Sequence, residues 1–358
     1  MKEFDEVFVD KTKYGTKLKT SDYKECGKYP IIDQGQETIA GYTDAEDGVF
    51  KEVPVIIFGD HTRVIKYVDK PFFLGADGVK VLRSKYLDAN YRYLFYALLN
   101  LKIPNTGYNR HFKWLKEAKI QYPTLKQQEK VVGILDKIEE VIAARNKQLN
   151  ALDELIQARF VEMFGEPSTN PRGWTETTVG DECFYIKDGP HKSLPDIGKE
   201  NGGHPFISVR NIVNGYIDFS TARYISDEDF AEAIKKCHPE KGDILYSKGG
   251  TTGIAKFIDI DEEFANWVHV AVLKFDKSKL NGIFFENMLN GAYCYEQSQR
   301  LTKGIANRDL VLSAMAQIKM YRPPIELQNQ FADFVNQVNK SKLVIKNLLQ
   351  IYKHQIQM

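Results

Sequence analysis

Read as a pattern of apolar and polar positions, the chain falls into four stretches, and the second sets the scale. Between Leu125 and Met163 there is no proline and one glycine, Gly133. Apolar residues recur at Val131, Ile134, Leu135, Ile138, Val141, Ile142, Leu149, Leu152, Leu155 and Ile156, the three-and-four spacing of one helical face. Lys126, Lys130, Lys137, Glu139, Glu140, Lys147, Asp153 and Glu154 take the other face. Pro123 stands ahead of the start, and Gly165-Glu166-Pro167 closes the end. At ~1.5 Å per residue the 39 positions make a helix of roughly 58 Å, about three times the usual length. Such a helix cannot bury its own stripe and needs a partner along its length.

The partner lies in the same chain. A shift of 200 residues sets Pro123-Thr-Leu-Lys-Gln-Gln128 on Pro323-Pro-Ile-Glu-Leu-Gln328, with Leu125 on Ile325, Val131 on Phe331, Leu135 on Val335 and Ile138 on Val338. The second stripe continues through Ile345, Leu348, Leu349, Tyr352 and Ile356. The pairing expected is therefore Val131, Leu135, Ile138, Ile142, Leu149 and Leu152 against Phe331, Val335, Val338 and Ile345. Echoes run upstream: Asn109-Arg110 and Asn307-Arg308, Leu98-Leu99-Asn100 and Met288-Leu289-Asn290, Tyr29-Pro30-Ile-Ile32 and His204-Pro205-Phe-Ile207. Two unrelated helices sharing a Pro-x-x-x-x-Gln start are the plain alternative, and the upstream echoes argue against it. The expected organisation is a tandem repeat of α+β character: a globule at 1–122, a long helix at 123–165, a globule at 166–322 and a long helix at 323–358.

Within each globule short β-type runs alternate with turn signals. In the first they are Tyr29–Ile32, Glu52–Phe58, Arg63–Val68, Phe72–Leu74 and Val79–Leu82, followed by an amphipathic helix at Tyr91–Asn100. In the second they are Trp174–Val179, Phe184–Ile186, Pro205–Val209, Asp243–Tyr246, Ile254–Ile258 and Val268–Phe275, with the equivalent helix at Ile283–Asn290. If the long helices lie antiparallel, a pseudo-two-fold axis relates the globules, held roughly 50–60 Å apart by a spacer of that length. Dimeric DNA readers use the same logic, in which protein symmetry sets half-site spacing.

Composition narrows the function. In 358 residues there are 49 basic and 48 acidic side chains, so any polyanion must be met by local patches. Cys26, Cys183, Cys237 and Cys294 are scattered, with neither metal nor disulfide spacing, and read as free thiols of a reducing cytoplasm. No apolar run approaches membrane-spanning length, and the start MKEFDEVFVDK is too charged for a signal peptide. The expected location is cytoplasmic, away from membranes.

Motifs of chemistry are missing. Gly249–Gly253 leads into a strand-like run without the Lys-Ser/Thr of a P-loop. The only Pro-Pro, 323–324, sits in Arg-Pro-Pro-Ile, so the Asn/Asp-Pro-Pro-aromatic element of amino-methyltransferases is absent, and no metal-binding nuclease triplet follows Pro195-Asp196. No catalytic residue, metal or cofactor is therefore assigned to this chain, and binding is the expected activity. A coiled-coil adaptor whose globules bind proteins is the rival reading.

The loops suit nucleic acid. Asp60, His61, Thr62 and Arg63 stand at a strand junction, and Ser247, Lys248, Thr251 and Thr252 occupy the comparable place in the second half. Gln34 and Gln36 have the groups to read adenine, and Arg63, Arg110, Arg210 or Arg308 those to read guanine. The glycines after Lys248 would let backbone N–H groups approach phosphates. Tyr108, Asn109, Lys192, Asn211 and Asn307 complete the candidates. Each singly also reads as an ordinary polar turn; recurrence in both halves is what singles them out.

Taken together, Tyr29-PIIDQGQETIAGY-Tyr42, Val55-IIFGDHTRVIKYVDKPFFLGADGVKVL-Leu82, Gly242-DILYSKGGTTGIAKF-Phe257 and the two Pro-x-x-x-x-Gln helix starts resemble the specificity (S) subunits of type I restriction–modification systems. The resemblance implies two target recognition domains, each reading half of a bipartite site in double-stranded DNA, alternating with two long helices. It also implies two docked copies of a DNA adenine methyltransferase (M) subunit, which uses S-adenosylmethionine to methylate adenine N6, and leaves open a restriction (R) subunit. The short N-terminus and compact first domain depart from the pattern.

Overall fold

The computed structural model describes residues 1–75, 77–107, 109–305 and 307–357, with side chains of the closing helix described as far as Tyr352. It divides into two units, Met1–Lys147 with the chain from Lys346 on, and Gln148–Ile345.

The first unit is organised around Val55–Gly59, a wholly buried strand. A run of VIIFG does not alternate apolar with polar because both of its faces meet a core. Ile56 and Phe58 face Phe4, Phe8, Leu94 and Leu98, while Val55 and Ile57 face Ile32, Phe72 and Leu74. The strand sits in an antiparallel sheet ordered Phe8–Asp10, Val79–Ser84, Val55–Gly59, Ile65–Val68. A second sheet runs Gly41–Thr43, Tyr29–Ile32, Phe73–Leu74, its last pair parallel. Helix Tyr91–Leu99 is started by Asn90, whose side chain accepts from Tyr93 N–H at 3.0 Å. Lys2–Glu3 and Lys119–Ile120 pair to join the two ends of the globule.

The second unit repeats this plan element for element. Its sheets run Cys183–Asp188, Val270–Phe275, Ile244–Ser247, Ala255–Phe257 and Arg223–Ile225, His204–Ile207, Ala265–Asn266, the last pair again parallel. Asn281 starts helix Gly282–Asn290, and Thr175–Thr178 with Lys319–Arg322 joins the ends. Two helices are added, Asp227–Lys236 and Ala292–Leu301. The expected strands appear with ends moved by a few residues. Phe73–Leu74 and Ala255–Phe257 were expected, but the other two- and three-residue strands, such as Gly41–Thr43, Arg223–Ile225 and Ala265–Asn266, escape sequence reading because so short a run carries no period.

Both long helices form, Leu125–Phe164 and Ile325–Gln357. In the second unit their segments pack antiparallel: Lys342 meets Asp153, while Phe331 lies 5.4 Å from Phe160 and 5.5 Å from Phe164. Phe331, Val335, Val338 and Ile345 are buried as expected, and Leu135, Ile138, Ile142, Leu149 and Leu152 are half-buried. Val131 does not pack: it is 37% exposed, because the face turned to the first globule runs Gln128, Val132, Asp136, Glu139, one residue and about 100° away. The deepest apolar residues of this helix are Ile156, Phe160 and Phe164, the last two beyond the expected stripe.

The globules meet their helix differently. In the first unit Arg92 reaches Asp136 at 2.5 Å and Glu139 at 2.9 Å, with Tyr96 donating to Asp136 at 2.7 Å. In the second the contact is apolar, Phe284 stacking on Phe160 at 5.6 Å. Among the described residues no helix is long and apolar enough to cross a membrane.

Candidate nucleic-acid interface

In each unit the residue after the central strand ties two loops together. Asp60 N–H donates to Gly78 carbonyl at 2.6 Å, its own carbonyl accepts from His111 N–H at 2.7 Å, and its carboxylate accepts from Phe112 N–H at 2.7 Å. Lys248 does the same work with opposite charge. Its N–H donates to His269 carbonyl at 2.8 Å, its carbonyl accepts from Leu310 N–H at 2.7 Å, and its ammonium lies 3.0 Å from Asp309 and 3.5 Å from Asp188. The loop leaving the central strand is thereby clasped to the loop that leads towards the long helix.

This corrects the role expected for five candidates. Asp60 and Lys248 are buried within the clasp. Ser247 is fully buried and accepts from Ile254 N–H at 2.8 Å, and Thr252 shares a hydrogen bond with Thr302 at 3.0 Å. Asn211 is 1% exposed, accepting from Ser208 N–H at 2.9 Å and donating to Asp218 carbonyl at 2.8 Å. The Gly249 and Gly250 N–H groups are also committed, to the carbonyls of His269 and Arg308 at 3.3 and 3.1 Å. Gly249 is nonetheless required, since a Cβ there would lie 2.2 Å from the His269 ring. Polar residues at a turn satisfy the turn first.

The exposed candidates gather better in the second unit. Arg210, Asn307 and Arg308 line one groove with Ser208, Gly249, Gly250, Trp267 and His269. A pocket of Phe206, Ser208, Arg210, Arg223 and Trp267 continues it. Arg210 is anchored to Thr221 carbonyl at 2.6 Å, and Arg308 to Gln299 and Thr252. Thr251 and Lys192 are exposed but line neither pocket. Arg223, Trp267 and His269 were not anticipated; a tryptophan followed by a histidine at a strand start, in ANWVHVAV, was the available signal. Two backbone donors, Tyr224 N–H at 3.0 Å and Gly198 N–H at 3.1 Å, hold the Asp196 carboxyl below its ordinary range, and Arg223 and Arg210 add to this.

In the first unit Gln36, Thr62 and Arg63 line a groove with Ile65, Leu98, Leu99, Leu101 and Ile103. Gln34 holds that rim rather than reaching out: its amide donates to Asp77 carbonyl at 2.9 Å and accepts from His61 N–H at 3.2 Å. Thr62 donates to Gln34 carbonyl at 2.6 Å, and Arg63, left-handed at φ 62°, donates to Ile103 carbonyl at 3.3 Å. Asn109 and Arg110 are exposed on the adjoining loop; Tyr108 lies outside the described residues. Beneath the rim burial pushes the Lys66 ammonium down, opposed by Asp33 at 3.5 Å. Among the described residues no three His, Cys, Asp or Glu side chains converge as metal ligands would.

One module built twice, each copy opening a groove of arginine, amide and hydroxyl groups beside a clasped loop pair, defines a tandem two-module protein. The chain belongs to the family described as the type I restriction modification DNA specificity domain, which it matches over residues 1–154 and 171–351. It is 27% identical to the EcoR124I/EcoR124II specificity subunit of Escherichia coli over 64% of this chain and 58% of that one. It is 26% identical to the MjaIX specificity subunit of Methanocaldococcus jannaschii over 47% of this chain and 41% of that one. The chain thus spans about half the length of these relatives. Among solved structures, the type I S subunit of M. genitalium aligns over 99% of this chain and 94% of its own, with TM-score 0.57 and 18% identity. Another, from work on assembly and conformational transition of the type I R-M system, covers 99% and 93%, with TM-score 0.54 and 17% identity. At these identities the likeness is one of fold.

Proposed function

We propose that the chain is the non-catalytic, DNA-reading subunit of a type I modification or restriction–modification complex. Each unit binds one half of a bipartite site in duplex DNA, and two copies of a methyltransferase subunit carry S-adenosylmethionine and methylate adenine N6. A restriction subunit would complete the complex where the system cuts DNA. The observation carrying this reading is the repetition of one module with unlike groove side chains: equal scaffolds suit half-sites of equal geometry, and unlike grooves suit different sequences.

The test is co-expression with a cognate type I methyltransferase subunit in a host free of N6-methyladenine, followed by mapping of modified adenines. The expected result is a motif with two unlike parts and a fixed gap, lost when this chain is omitted. Methylation that ignores the chain, together with duplex binding that does not weaken as salt rises, would instead support a protein-binding adaptor, since phosphate contacts release counterions.

A further inference from the structure

The two modules can be superposed by their hydrogen bonds, and the second carries a pair that the first lacks. Phe206 is opposite Arg223 in the second as Ile31 is opposite Gly41 in the first. Trp267 N–H donates to Ile207 carbonyl at 2.9 Å, as Gly75 N–H donates to Ile32 carbonyl at 2.8 Å. Arg223 therefore takes the place of Gly41, and Trp267 that of Gly75. At Gly75 a side chain has no room: a Cβ would lie 2.5 Å from both the Tyr23 hydroxyl and the Asp33 Cβ.

In the second unit the Arg223 guanidinium rests over the Trp267 indole, 5.3 Å from its centre, at the mouth of the groove. Stacking of this kind uses the face of the guanidinium and leaves its N–H edge for a planar acceptor. Arg210 and Arg308 both donate to neighbouring protein groups. The Arg223 side chain has neither a hydrogen bond to protein nor an ion pair among the described residues, and Asp196 influences it only at longer range. A half-buried arginine seated over an indole with its donor fork undrawn is prepared for a ligand.

We propose that Arg223, seated on Trp267, is a specificity-determining residue that reads guanine through O6 and N7 in the half-site of the second unit. This rests on the DNA-reading function proposed above. Guanine presents two acceptors in one plane at the spacing of the fork, whereas adenine replaces one of them with a donor. Trp267 is the positioning residue that sets the plane. The first unit, with glycine at both places, reads its half by other groups.

The test exposes the full-length protein to duplexes of randomised sequence and sequences the bound fraction, for the wild type and for R223A, R223K and W267F. The wild type should enrich a two-part motif containing one G·C pair whose selection falls about 5- to 150-fold in R223A and less in R223K, since lysine also donates to guanine O6 and N7, with every other position kept. W267F should relax the same pair to a smaller degree. An unchanged motif in R223A, bound more weakly overall, would overturn the proposal in favour of a phosphate anchor. Uniform loss at all positions would overturn it in favour of a structural role. A wild-type protein that enriches nothing and binds duplex without salt dependence would remove the DNA-reading function itself.

Discussion

At the scale of single residues, burial decides which polar groups remain available. Lys248 is the sharpest case, because a lysine in a glycine-rich loop invites a phosphate, yet its side chain is only 7% exposed between Asp188 and Asp309. Lys248→Ala would remove one of the two lysines that pair with Asp188, leaving Lys236 at 3.1 Å, and would take the ammonium from Asp309, so it should destabilise the second unit by roughly 1–3 kcal/mol. Urea unfolding followed by tryptophan fluorescence measures this; an unmoved midpoint would refute the clasp. The thiols give a second expectation. Burial pushes Cys183 and Cys294 up to about 12 and Cys237 up to about 11, while Cys26 is exposed. Iodoacetamide at neutral pH should therefore alkylate Cys26 alone. In the unfolded chain the other three ionise from about pH 8.5, so above that the unfolded state holds fewer protons and is favoured, by about 1.4 kcal/mol per pH unit per thiol. Thermal melts should drop steadily on raising the pH from about 9 to about 10.5; a flat profile would contradict the burial of these thiols.

At the scale of elements, the Pro-x-x-x-x-Gln signature turns out to be a physical device. Gln128 donates back to Pro123 carbonyl at 2.9 Å, and Gln328 to Pro323 carbonyl at 2.7 Å, closing the helix entry. Gln328 also donates to Lys279 carbonyl at 3.1 Å and accepts from Asn281 N–H at 2.8 Å, gripping the start of the neighbouring helix. Gln328→Leu should cost roughly 2–3 kcal/mol, and Gln128→Leu about 1 kcal/mol. Equal losses in urea melts would show that the extra grip adds nothing. The motif was visible in the sequence; its reason was not. The same limit explains Arg92, Asp136 and Glu139. Periodicity reports where apolar groups are buried, so Glu139 read as part of the solvent face although it docks the globule. Phe160 and Phe164 escaped because the stripe was followed only to Ile156. The repeat, both long helices and most strands were legible, since each is written in spacing over many residues. The groove was not, because Arg210, Arg223, Trp267 and Arg308 are far apart in the sequence and come together only through the fold.

At the scale of the whole molecule, a long helix of fixed rise lends itself to measuring distance along DNA. Four residues inserted after Arg145 would lengthen it by about 6 Å and turn it by about 40°. The gap in the methylated motif should change by roughly two base pairs, with both half-site sequences retained. An unaltered gap would separate the helix from the choice of spacing.

The opposite charges at Asp60 and Lys248 bear on how such a protein can be re-engineered. A hybrid carrying the 248–253 loop in place of 60–63 would bring an ammonium to the position where Asp60 now serves His111 and Phe112. The transplant would lack the carboxylate that Asp309 supplies in its original setting. Moving the 303–310 segment with it restores that counter-charge. The smallest portable cassette of specificity in this scaffold is thus a matched pair of loops.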